Sequence, residues 1–112
     1  MEIKWKRCGD DSHWCDFNKL KLDSENFKNL KGVYIIWSGE DVIRIGSGVI
    51  KDRIAAHRED KEITAYENLK VTWAEVNANQ MENVEAYLAN VLEPLVGERF
   101  PDRNPIEVNL PW

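Results

Sequence analysis

The chain has 112 residues, 43% of them hydrophobic and 31% charged, with fifteen Lys and Arg against twenty Asp and Glu for a net charge of −5. That length predicts one domain, and the composition excludes a disordered or low-complexity chain. The longest apolar run, Val33-Tyr34-Ile35-Ile36-Trp37, is too short for a membrane span, and the acidic balance speaks against a broad basic surface that grips DNA.

In chain order, Met1-Glu2-Ile3-Lys4 lacks the apolar core of a secretory signal, which sets the expectation of a cytoplasmic chain. Cys8 and Cys15 are then expected as free thiols, one packed against Trp14, and not as a disulfide. With His13 they offer three zinc ligands where four in two close pairs are usual. Phe17, Leu20 and Leu22 read as a short extended stretch. Ser24 is placed to cap a short helix over residues 25–30, which Lys31-Gly32 then ends. Residues 33–37 and 42–45, joined by Ser38-Gly39-Glu40-Asp41, read as a β-hairpin stopped by Gly46-Ser47-Gly48. Ile50 and Ile54, with Ala55 and Ala56, predict a helix over residues 50–59. Residues 70–76 alternate and predict a strand. Asn79, with Glu82 three residues on, is placed to cap a long helix carrying Met81, Val84, Leu88, Val91, Leu92 and Leu95. Pro94 comes near its end and Gly97 stops it; residues 105–112 read as an extended edge piece. The order strand, strand, helix, strand, helix predicts an α+β fold, a small antiparallel sheet of about three strands flanked by helices.

On that frame Tyr34 and Arg44 stand in the two hairpin strands. Arg53 and His57 share one helix face, and Glu85 lies in the first turns of the second long helix. Taken singly, each has an ordinary role. Tyr34 suits a sheet aromatic, Arg53 a surface cation paired with Asp52 or Asp60, His57 a partly buried helix residue, and Glu85 helix surface. Of the five tryptophans, Trp37 and Trp73 suit the core and its rim, whereas Trp5, Trp14 and Trp37 together suit a stacking or partner surface.

Together the residues resemble a family. Gly32-Val33-Tyr34 and Arg44-Ile45-Gly46 resemble the two signature halves of the GIY-YIG nucleases. Ile50-Lys51-Asp52-Arg53-Ile54-Ala55-Ala56-His57 is similar to that family's helix with an Arg and a following His or Tyr. Glu85-Ala86-Tyr87-Leu88, with Pro94 nine residues after the Glu, is similar to its metal-binding helix. The resemblance covers about residues 32–109. It leaves residues 1–31 as an N-terminal extension packing on a domain of residues 32–112.

The resemblance implies an endonuclease that hydrolyses DNA phosphodiester bonds with one Mg²⁺ or Mn²⁺. Tyr34 activates the attacking water or belongs to the relay that does, Arg53 stabilises charge on the phosphate, His57 relays protons, and Glu85 is the single protein ligand to the metal. A hard dication with one or two carboxylates, waters and phosphate oxygens is ordinary coordination. A Tyr with an unperturbed pKa of about 10 needs a cation or imidazole beside it to act near neutrality. Arg44, Arg53 and His57 are the candidates. Arg44 stands where the family usually has Tyr, and the implied role is to orient water or phosphate with added positive charge. The link from Gly46 to Arg53 is one residue shorter than the common pattern. Asn104 or Asn109 is the family's Asn, with Asn109 favoured and expected to hold the end of the chain near the site.

Residues 1–31 carry a net +1, residues 32–60 a net −1 and residues 61–112 a net −5, so Arg44, Arg53 and His57 fall in the near-neutral middle. DNA binding is expected to be weak and salt-sensitive, or directed by a partner. The competing reading is a catalytically inactive module of the same fold that binds nucleic acid or protein.

Overall fold

The structure, a computed structural model, describes residues 1–9, 13–97 and 101–112. The elements are β1 (Cys15–Asp16), a 3₁₀ turn over Glu25–Phe27, β2 (Lys31–Ser38), β3 (Asp41–Val49), α1 (Ile50–Arg58), α2 (Lys61–Thr64), β4 (Leu69–Glu75) and α3 (Met81–Leu92). All strand pairs are antiparallel, in the order β1-β4-β2-β3, so β3 is an outer strand.

Alternation along β2 assigns each side chain to a face. Val33, Ile35 and Trp37 join one apolar cluster with Val84 and Leu88 of α3. Tyr34 and Ile36 join the other with Ile50 and Ile54 of α1 and Ile63 of α2. Helices thus cover both faces, which is why β2 reads as a continuous apolar run. α1 forms because Ile50 and Ile54, four apart, both bury completely. Trp37 and Trp73 are buried, as their core reading expects.

The α+β architecture agrees with the pattern, but the sheet has four strands and not about three. The added β1 is two residues long, too short to show alternation. β3 does not stop at Gly46-Ser47-Gly48; the run stays paired, Tyr34 opposite Gly46 and Gly32 opposite Gly48. Ser24 caps only a 3₁₀ turn, its Oγ accepting from the Asn26 amide at 3.2 Å. Lys31-Gly32 already belongs to β2, and Asn29 takes the left-handed turn before it. One further turn of helix, α2, carries too little sequence to show a period; Asp60 caps it by accepting from the Glu62 amide at 2.9 Å.

At α3, Gln80 is the N-cap with no side-chain cap bond, so Asn79 does not close a capping box with Glu82. The helix ends at Leu92, where Glu93 at φ 48° makes the left-handed cap expected of Gly97. Val91 and Leu95, expected on the buried face, are 47% and 60% exposed. Leu95 and Val96 instead lie along the outer edge of β3, donating to Val42 O at 3.1 Å and Ile43 O at 2.8 Å. The loop expected over residues 95–103 includes residues 98–100, which lie outside the described residues. Residues 105–112 belong to no strand.

Described residues ahead of β2 join the same two clusters, Cys15, Phe17 and Phe27 on the α1 side and Ile3, Trp5 and Trp14 on the α3 side. Lys6 N–H donates to Trp73 O at 2.9 Å, and Thr72 Oγ1 donates to Lys6 O at 2.7 Å. Phe17 is fully buried, and Arg58 Nη2 donates to the carbonyls of Phe17 and Leu20 at 2.8 Å. Cys8 and Cys15 form a disulfide, contrary to the expected free thiols. Backbone pairing of Cys8 with His13 turns the chain back on itself and brings the two Cα atoms within 5.0 Å. Neither sulfur is left as a thiolate ligand for zinc. No helix among the described residues is long and apolar enough to cross a membrane.

Candidate active site

Three small residues on the outer strand let side chains from both sheet faces meet. A Cβ at Gly46 would lie 2.1 Å from the Tyr34 hydroxyl, so only glycine leaves room for the phenol to cross β3 there. At Gly48 a Cβ would sit 3.5 Å from Cγ and Cδ of Arg53. Between them Ser47, opposite Val33 and so on the α3 side, donates from Oγ to Glu85 Oε1 at 2.6 Å. Tyr34 approaches from the α1 side and Glu85 from the α3 side.

The Tyr34 hydroxyl and His57 Nε2 share a hydrogen bond of 2.6 Å, and the tautomer of the ring sets which of the two donates. The Arg53 guanidinium acts on both groups through its charge. The two rings stand 5.4 Å apart between centroids. Burial, with the Arg44 and Arg53 charges added, lowers the His57 pKa from 6.5 to about 4. His57 is therefore neutral at pH 7.

Burial also raises the Tyr34 pKa, against the guanidiniums of Arg53 and Arg44, so the group is a neutral phenol. The Glu85 carboxyl is raised by burial as well, against the Ser47 bond and the same two guanidiniums, with Glu82 adding to the rise. Two guanidiniums against one carboxylate leave the cluster positive inside an acidic protein. Arg53 Nε is buried and makes no hydrogen bond among the described residues. A buried donor left open in this way is uncommon and marks where an acceptor belongs.

Five of the six singled-out residues come together: Tyr34, Arg44, Arg53, His57 and Glu85. Arg44 lies opposite Ile36 on the α1 side, with Nη1 reaching Val96 O at 3.4 Å, and its charge acts on Tyr34, His57 and Glu85. His57 and Glu85 are each 7% exposed, so Glu85 is not ordinary helix surface. Asn109 is engaged elsewhere. Its amide grips the backbone of Ile3, accepting at 2.8 Å and donating at 3.0 Å, and its carbonyl accepts from Trp5 Nε1 at 2.8 Å. The Asn104 carbonyl accepts from Asn83 Nδ2 at 2.8 Å. Ser47 was not singled out, although small residues inside a strand signal close approach of another group.

Among the described residues no three His, Cys, Asp or Glu side chains gather into a metal cage. The cluster offers one buried carboxylate whose charge burial disfavours. One carboxylate is fewer side-chain ligands than a metal site closed by protein alone would need. A cavity of about 560 Å³, lined by Ser47, Gly48, Asn79, Asn83 and Arg103 among others, meets the strip at Ser47 and Gly48, with none of the five clustered residues in its lining. In comparisons with known proteins, no family model, no curated protein and no solved structure matches the chain.

Proposed function

We propose that the protein is a divalent-metal-dependent endonuclease that hydrolyses DNA phosphodiester bonds by a GIY-YIG-like mechanism. The observation that carries this reading is the 2.6 Å bond between Tyr34 and His57, with the Arg53 charge acting on both and Glu85 held by Ser47 on the Gly46–Gly48 strip.

Glu85 would hold Mg²⁺ or Mn²⁺, which when bound supplies charge to offset the leaving oxygen. Arg53 and Arg44 offset charge on the non-bridging phosphate oxygens, and the open Nε of Arg53 is a donor for one of them. Tyr34, a neutral phenol, acts as a relay and not as a phenolate base. Its oxygen takes a proton from the attacking water as its own proton passes to His57 Nε2. The imidazolium so formed lies beside two guanidiniums and is a strong acid, so it gives the proton up readily. Asn109 holds the chain near Ile3 and takes no part in the proton transfers.

Two guanidiniums in an acidic chain support weak, salt-sensitive binding to the phosphate backbone, without base reading. Purified protein with Mg²⁺ or Mn²⁺ is expected to nick plasmid or single-stranded DNA, and Glu85→Ala to abolish nicking with the fold kept. Nicking unchanged in Glu85→Ala overturns the site. Binding without cutting across several substrates favours the inactive module.

A further inference from the structure

A second cavity, of about 580 Å³, lies at the turn end of the β2–β3 hairpin. Trp37, which lines it, points to the α3 side of the sheet, whereas Tyr34 points to the α1 side. Its walls include three tryptophans, Trp14, Trp37 and Trp112, packed edge to face with ring centroids 4.9–6.4 Å apart. Its charged lining residues among those described are all acidic: Glu40, Asp41 and Glu93. The C-terminal end of α3 also opens here, and the partial negative charge of its last carbonyls favours a cation.

The rim is apolar and solvent-exposed. Val91, Leu95 and Trp112 are 47%, 60% and 55% exposed, and they are three of the five exposed large apolar side chains among the described residues. Exposed apolar surface gathered at one cavity marks a binding site. The tryptophan cluster already attracts one cation: the Arg7 guanidinium sits 3.9 Å over the Trp14 ring, from outside the cavity lining.

We propose that this cavity binds a basic, apolar-flanked peptide segment of a protein partner. A Lys or Arg side chain enters with its aliphatic stem along the tryptophans and its charge among Glu40, Asp41 and Glu93, while neighbouring apolar side chains cover Val91 and Leu95. Charge complementarity selects this occupant. A nucleic acid stacking on the tryptophans would bring phosphates against three carboxylates, and a second copy of the chain would oppose the same carboxylates to each other. The proposal does not depend on nuclease activity.

Calorimetric titration with acetyl-Leu-Lys-Leu-Lys-Leu-amide tests it, alongside the Leu-Glu-Leu-Glu-Leu and Leu-norleucine counterparts. The lysine peptide is expected to bind, and both counterparts to bind about tenfold more weakly or not at all. Trp112→Ala and the pair Glu40→Gln with Glu93→Gln are each expected to weaken the lysine peptide by about tenfold, with the cooperative thermal melt kept in both and unshifted in the carboxylate pair. Absence of binding, equal binding of the three peptides, or full binding by either variant overturns the proposal. So does concentration-dependent self-association, or single-stranded DNA binding, that Trp112→Ala removes.

Discussion

The Tyr34 hydroxyl and Nε2 of His57 share a buried hydrogen bond of 2.6 Å, which ties β2 to α1 across 23 residues of sequence. Tyr34→Phe removes that hydroxyl and leaves an imidazole nitrogen buried without a partner. The expected loss of stability is about 1–3 kcal/mol, and the expected loss of nicking rate is on the order of 10²- to 10⁴-fold. Urea unfolding and a plasmid assay read the two effects separately. Stability equal to the parent's would mean the bond contributes nothing.

The same burial makes stability depend on pH. His57 titrates at about 6.5 when unfolded and about 4 when folded, so below 6.5 the unfolded chain binds the proton first. The stabilisation is therefore complete above pH 6.5 and is lost as pH falls through about 4, amounting to about 3 kcal/mol. Glu85 works in the opposite sense. Its raised pKa penalises the folded state once ionised, and that penalty is relieved as pH falls through the raised value. His57→Gln isolates the first effect: between pH 7 and pH 4 it should lose about 3 kcal/mol less than the parent. Parallel unfolding free energies across that range would contradict this.

Gly46→Ala places a methyl 2.1 Å from the Tyr34 hydroxyl, on a ring held by the core. Overpacking there is expected to cost about 1–3 kcal/mol and to displace the phenol from His57. Gly39→Ala, at φ +60° with open space around it, carries backbone strain alone, about 1 kcal/mol. Equal effects at the two positions would show that the Gly46 contact is unimportant.

Local periodicity explains which features the sequence makes legible. The helical spacing of Ile50, Ile54, Val84 and Leu88 records a face that is buried, whereas the strand read at residues 70–76 is buried on both faces, Val71 and Trp73 on one and Ala74 and Val76 on the other. The spacing of Arg53 and His57 likewise places both on one side of α1. Contacts that close across the chain leave no local trace. Nothing near Phe17 announces that it reaches the core beneath Arg58, and nothing near Asn109 names Ile3 as its partner. Gly46-Ser47-Gly48 reads as a strand stop because small residues resemble a turn. Gly46 is small because the Tyr34 hydroxyl occupies the space of a Cβ, and Gly48 is glycine because its φ of +130° is strained for any side chain, while Ser47 supplies the hydroxyl that holds Glu85.

Glu85 separates stability from activity. Its buried carboxylate is disfavoured when charged, and Gln keeps an oxygen to accept from Ser47. Glu85→Gln is expected to match or exceed the parent's stability at pH 7 while losing metal-dependent nicking. Ser47→Ala, which strips the carboxylate of its donor, is expected to cost about 1 kcal/mol or more. A Glu85→Gln protein that loses more than about 1 kcal/mol would mean that the charge is stabilising in place.

The Cys8–Cys15 disulfide closes a short loop, with a sequence separation of 7, beside the two-residue strand β1. Restricting a loop of that size in the unfolded chain stabilises by about 2 kcal/mol. Replacing both cysteines by serine should lower Tm by roughly 8 °C in a domain of this length. β1 is the strand at one edge of the sheet and β3 the strand at the other, so the Tyr34–His57–Glu85 cluster stands across the full sheet from the disulfide. Nicking rate per folded molecule should accordingly stay at the parent's level below the lowered Tm. A rate that falls with the stability at 25 °C would show that the edge at Cys15 is coupled to the strip at Gly46.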